Sequence, residues 1–134
     1  MPRGEIAIWD DTVVAEGAIT DRAAIVQGTS EIQGKIAPAT NSPKFRGISM
    51  GAAVDGQEVA VRKIGVAEAL AAGVVSIGDL LVTSGSAGRL ESLGTLSPGT
   101  GSVKNIVAEA QTAATAAGDI IEVRVLGPTP FGSA

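Results

Sequence analysis

Gly56-Gln-Glu-Val-Ala-Val-Arg-Lys-Ile64 is the stretch from which the fold class follows. As a strand it places Val59, Val61 and Lys63 on one face and Glu58, Ala60, Arg62 and Ile64 on the other. That is the alternation of a half-buried antiparallel strand. Residues 80–83 (Leu-Leu-Val-Thr) and 120–126 (Ile-Ile-Glu-Val-Arg-Val-Leu) are likewise rich in β-branched and aliphatic side chains, and each follows a Gly-Asp pair. The 18 glycines fall at short intervals between such apolar runs, the punctuation of short strands joined by turns.

The pattern recurs along the chain. Gly56-Gln-Glu-Val-Ala-Val-Arg62 resembles Gly118-Asp-Ile-Ile-Glu-Val-Arg124, with glycine, valine and arginine at matching places, and Gly78-Asp-Leu-Leu-Val82 is a partial third copy. Upstream, Ile48-Ser-Met-Gly-Ala-Ala53 resembles Ile106-Val-Ala-Glu-Ala-Gln111. Two readings stand: repeated strand-turn-strand units that close into a barrel and hide their edges, or chance similarity among Gly-Ala-Val segments.

Thr83-Ser-Gly-Ser-Ala-Gly-Arg-Leu90 is a turn-rich link from residues 80–82 to a short return strand at 89–92, which predicts a hairpin. Two alanine-rich segments, 66–72 and 107–117, have the local propensity of helices but are bounded by Gly65, Gly73 and Gly118. They predict strand followed by a helical turn, or a short α-helix over 112–116. Pro128 and Pro130 exclude a regular central strand at the end of the sequence, where an extended tail is expected. The expected fold is mainly β: a small β-barrel or sandwich of short antiparallel strands, with a short helical turn or helix and extended N- and C-terminal segments. It is a single domain, with an N-terminal arm and first strands in residues 1–34, a β-rich core in 35–127 and the tail in 128–134.

Hydrophobic residues make up 45% of the chain and aromatics 2%, so the core is assembled from Val, Ile, Leu and Ala, which bury less area each than aromatic rings. A core this thin favours oligomerisation. The net charge of −4, with ten Lys and Arg scattered from Arg3 to Arg124, argues against nucleic acid as a partner. Histidine, cysteine and tyrosine are absent, which removes the commonest general base, the thiolate nucleophile, the disulfide and nearly every zinc site. No cofactor or metal is expected. No cationic start leads into an apolar run, and no apolar stretch is long enough to span a bilayer, so a protein soluble where it is made is expected.

Few motifs offer chemistry. Gly94-Thr-Leu-Ser-Pro-Gly-Thr-Gly-Ser-Val-Lys104 fails as a phosphate loop, because its lysine does not follow the second glycine of G-x-x-x-x-G-K and Gly99-Thr-Gly101 lacks a third fingerprint glycine. A surface loop is expected. Asp55, Glu58, Asp79, Asp119 and Glu122 are the carboxylates a glycosidase-like acid–base pair would draw on, yet no spacing selects two of them. Asp79 and Asp119 stand where carboxylates commonly cap turns, and no residue is expected to be catalytic. Asp10-Asp11 and Arg62-Lys63 are adjacent pairs whose members point to opposite faces of a strand, so neither is a site alone. The strip Glu5-Ile-Ala-Ile-Trp9 puts Ile6 and Ile8 on one face and carries the only tryptophan. Trp9 reads either as a core anchor packed from the edge or as part of an arm in which Ile6, Ile8 and Trp9 contact a partner by strand addition.

Residues 106–125, Ile-Val-Ala-Glu-Ala-Gln-Thr-Ala-Ala-Thr-Ala-Ala-Gly-Asp-Ile-Ile-Glu-Val-Arg-Val, resemble the C-terminal signature of the decoration (cement) proteins of tailed-phage capsids: apolar strand, alanine-rich turn, Gly-Asp, aliphatic strand. Residues 65–89 are similar to the middle of that family, and the resemblance extends to residues 46–64. It implies a non-enzymatic, β-rich virion protein, made in the host cytoplasm, that forms homotrimers on the outer surface of an expanded head. Its partner would be the major capsid protein, with no direct nucleic acid, membrane or cofactor, and it would stabilise the shell against internal DNA pressure by bridging coat subunits. The rival classes are a carbohydrate- or ligand-binding β-module, for which the aromatic supply is poor, and a hydrolase with paired carboxylates.

Overall fold

The computed structural model describes residues 8–40, 42–85, 87–93 and 103–132. These contain nine strands: β1 (Trp9–Ala15), β2 (Ala24–Gln27), β3 (Gln33–Ile36), β4 (Phe45–Ser49), β5 (Glu58–Leu70), β6 (Leu80–Thr83), β7 (Leu90–Ser92), β8 (Val103–Ala110) and β9 (Ile120–Gly132). They form one sheet in the order β1-β3-β2-β4-β5-β9-β8-β6-β7, and β5 also pairs with β1. The mainly β architecture read from the sequence is observed, and of its two forms, barrel or sandwich, the barrel is the one found.

The long strand β5 is used twice. Its first part, 58–64, completes a closed barrel: β1 lies parallel to β3, while β3–β2, β2–β4, β4–β5 and β5–β1 are antiparallel. Its second part, 65–70, opens a unit of the same connectivity. There β5–β9, β9–β8, β8–β6 and β6–β7 are antiparallel, and the single parallel bridge Ala71↔Leu90 stands where the first unit has β1 beside β3. Gly65, with φ 115, marks the passage from one unit to the other, a backbone state that side chains with a Cβ resist.

The repeated sequence turns out to be a repeated turn. In 54–57, 76–79 and 116–119 the third residue is glycine with φ 87, 89 and 90, as a type II turn requires. The fourth residue's N–H closes each turn onto the first residue's carbonyl, at 3.0, 3.1 and 3.3 Å. Gly56, Gly78 and Gly118 donate to the carbonyls of Ala15, Ala110 and Ala71, each at 2.8 Å, so every turn is stitched to a strand end. The polar residue after each glycine reaches back: Gln57 accepts from Val54 N, Asp79 from Ser76 N and Asp119 from Ala116 N. A fourth copy, 20–23, carries Arg22 at φ 60 where the others have glycine, which is why the sequence pattern does not show it.

Two large apolar clusters fill the units, beside a small one of Val82, Leu93 and Ile106. Val13, Ala15, Ile19, Ala23, Ile25, Val59 and Val61 pack inside the first barrel. The second interior, with Ala67, Ala69, Leu81, Val107, Ile121 and Val123, extends onto the other faces of β2 and β4 through Ala24, Val26, Phe45 and Ile48. Strand β2 is therefore buried on both faces, which explains its unbroken apolar run.

The helical turn or short helix expected over the alanine-rich segments is not found among the described residues. Residues 66–70 continue β5, 107–110 belong to β8, and 111–119 are bends and turns around the bridge of Ala114 to Val75. Helix propensity amounts to only tenths of a kcal/mol per residue, and it loses to the burial of Ala67, Ala69, Ala108 and Ala110 between closely approaching strands. The hairpin 80–92 forms, with Thr83 facing Leu90. Strand β9 runs on through Pro128 and Pro130, where it pairs with β8 alone. The phosphate-loop-like stretch lies outside the described residues except for Val103 and Lys104, which begin β8.

Candidate functional site

The antiparallel pairing of β1 with β5 sets Trp9 opposite Ile64 and Asp10 opposite Arg62, with an irregularity between Trp9 and Asp10. Arg62 donates from Nε to Asp10 Oδ1 at 2.7 Å and from Nη2 to Oδ2 at 3.0 Å, a two-point pair. Asp11 accepts from Thr12 N and from Arg46 Nη2 at 3.0 Å, with Lys63 Nζ 3.9 Å away. The hydrogen bond from Arg62 holds the Asp10 carboxyl below the usual range, and the Thr12 N–H, then Arg46, do the same for Asp11. Each adjacent pair, split between two faces as expected, thus finds partners on other strands.

Beside this ladder the apolar side chains stand open. Ile8 is 62% exposed, Trp9 55% and Ile64 42%. Lys63 Nζ lies 4.9 Å from the centroid of the Trp9 ring, within cation–π range. Leu126 of β9, also exposed, follows Val125, the partner of Gly65 in β5. Of the residues singled out in the N-terminal strip, Ile8 and Trp9 are at the surface, and Ile6 lies outside the described residues. Trp9 opens β1 and is not a core anchor. Lys63 and Ile64 join it only through strand pairing, so nothing in the strip itself points to them.

A cleft of about 390 Å³ lies between the two units, lined by Arg22, Ser49, Met50, Arg62, Glu68 and Glu122 among others. Glu68 and Glu122 face each other across β5 and β9, and both are exposed. Arg22 donates from Nε to Glu68 at 2.9 Å and from Nη1 to Asp21 at 3.0 Å, tying the first unit to the second. The remaining carboxylates are mostly parts of turns. Asp55 accepts from Gly17 N, and Asp79 from Ser76 N and Ser92 Oγ. Asp119 accepts from Thr115 N and Ala116 N, which lower its carboxyl below the ordinary range. Glu58 is exposed at the start of β5. Among the described residues no group of three or more acidic side chains is placed to hold a metal ion.

No family model matches the sequence, and no curated protein matches it. The fold is similar to that of the N base of the head fiber gp8.5 of bacteriophage phi29, known from a crystal structure. The TM-score is 0.59 and the identity 16%, over 89% of this chain and 94% of that one. At that identity the likeness is one of fold.

Proposed function

We propose that the chain is a structural component of a phage virion, and more narrowly a decoration protein that binds the outside of an expanded capsid and bridges its coat subunits. The observation that carries this reading is the fold it shares with a phage head fiber base, to which the sequence resemblance of residues 46–89 and 106–125 to capsid cement proteins adds support. A non-enzymatic role fits the carboxylates, which are mostly spent on turns and surface ion pairs. The partners are the major capsid protein and further copies of the chain in a homotrimer.

The open corner of Ile8, Trp9 and Ile64 is the contact we assign to the shell. A ring with an apolar body and a cation stacked on it is the kind of side chain that anchors an interface. Stabilisation is then physical. Opening the shell must break the bridging contacts as well, and symmetry multiplies a few kcal/mol per site over the whole head.

The test is co-sedimentation with undecorated expanded heads. Wild type is expected to pellet with them, while Trp9→Ser with Ile64→Thr keeps its thermal melt and binds at least about tenfold more weakly. Absence of wild-type binding would sink the decoration reading, and full binding by the variant would move the contact elsewhere. Sedimentation equilibrium checks the trimer, both free and on the shell.

A further inference from the structure

Strand β9 is to the second unit what β5 is to the first. Both run for 13 residues, and Gly65-Val-Ala-Glu68 of β5 corresponds to Gly127-Pro-Thr-Pro130 of β9. After Gly65, β5 becomes the first strand of a further unit, with β9 alongside it. After Gly127, β9 pairs only with β8, through Ile106↔Thr129, Asn105↔Pro130, Lys104↔Phe131 and Val103↔Gly132. Among the described residues no strand lies along its other side. An open strand edge of this kind is where a second chain adds.

Proline decides what that edge offers. Pro130 has no N–H, yet it sits opposite Asn105 in the regular register of 129–132, so Thr129 and Phe131 supply the donors to β8 and position 130 turns outward. Pro128, at the register shift just before it, lacks a donor as well. A strand laid along this edge would leave carbonyls without partners.

We propose that Pro128 and Pro130 terminate the strand-sharing series: they cap the open edge of β9 and keep the β9 edge of a second copy from pairing with it. The proposal is independent of the virion reading, because it concerns only how one copy meets another through this edge. It is compatible with trimers formed through other surfaces.

Pro128→Val with Pro130→Thr restores both donors, and Pro128→Ala with Pro130→Ala restores them without raising strand propensity. Sedimentation velocity over a hundredfold concentration range is expected to show at least tenfold tighter self-association for both variants than for wild type. Hydrogen exchange should show new protection of the amides of 128 and 130, with an unchanged melt. Variants that fold normally and keep the wild-type assembly state would overturn the proposal. So would a crosslink that joins the β9 edges of two wild-type copies. If the double variants do not fold, Pro130→Ala alone decides by the same readouts.

Discussion

The hydroxyl of Ser49 donates to the carbonyl of Thr20 at 2.7 Å and accepts from Ala23 N at 2.9 Å. It stands between the two groups that the other three repeat turns join directly. Ser49 occupies the strand-end place held elsewhere by Ala15, Ala71 and Ala110, and Arg22 the place held by Gly56, Gly78 and Gly118. The two departures are coupled, since a turn built on Arg22 without the direct bond needs a bridging hydroxyl.

Ser49→Ala is therefore expected to cost about 1–3 kcal/mol, the range for orphaning buried polar groups. Arg22→Gly removes a left-handed strain of about 1–2 kcal/mol but loses the exposed ion pairs to Asp21 and Glu68. The double variant recreates the alanine–glycine combination of the other turns and should lose less than the sum of the singles. Urea denaturation of the four-member cycle measures the coupling.

Glycine substitutions should separate backbone strain from collision. At Gly78 a Cβ would meet nothing within 4 Å, so Gly78→Ala is expected to cost only the conformational term, about 1–2 kcal/mol. At Gly47 it would sit 2.6 Å from the carbonyl oxygen of Arg62, and Gly47→Ala is expected to cost about 3 kcal/mol or more. Equal losses at the two sites would contradict the β4–β5 approach described above.

Acid should weaken the fold through Asp10, Asp11 and Asp119, whose carboxyls are all lowered in the native state. As pH falls below about 4 the unfolded chain takes up protons first, so the stabilisation is complete above that value and lost as pH drops through the folded pKa values. The melting temperature is expected to be level from pH 7 to about 5 and to decline below about 4. Asp119→Asn should make that decline shallower. A decline starting near neutrality would assign it to other groups.

The two units should unfold together. Ala24, Val26, Phe45 and Ile48 face the second interior, so a chain ending after Ile64 would expose them. Calorimetry and circular dichroism of the whole chain are expected to give one coincident transition, and the truncated chain none. Two separate transitions would show that the shared strand does not couple the halves.

Much of this was legible in the residues. The alternation of 58–64 is local information, because side chains two apart on a strand share a face whatever surrounds them. The Gly-Asp and Gly-Gln pairs marked turns because only glycine adopts the third position of a type II turn without strain. The alanine-rich segments misled, since helix propensity is weak and their burial depends on strands far away in sequence. The exposed corner was half visible: Trp9 announces itself, whereas Lys63 and Ile64 are recruited by register.

By itself, then, the sequence determined the β class, the places of three of the four repeated turns and the scarcity of catalytic side chains, because each depends on residue type and short-range spacing. Only the tertiary structure decided that β5 serves two units, that β2 is buried on both faces, and that Arg22 and Ser49 rebuild a turn the repeat lacks. Those facts rest on contacts between residues far apart along the chain, and pairing register, not composition, selects them.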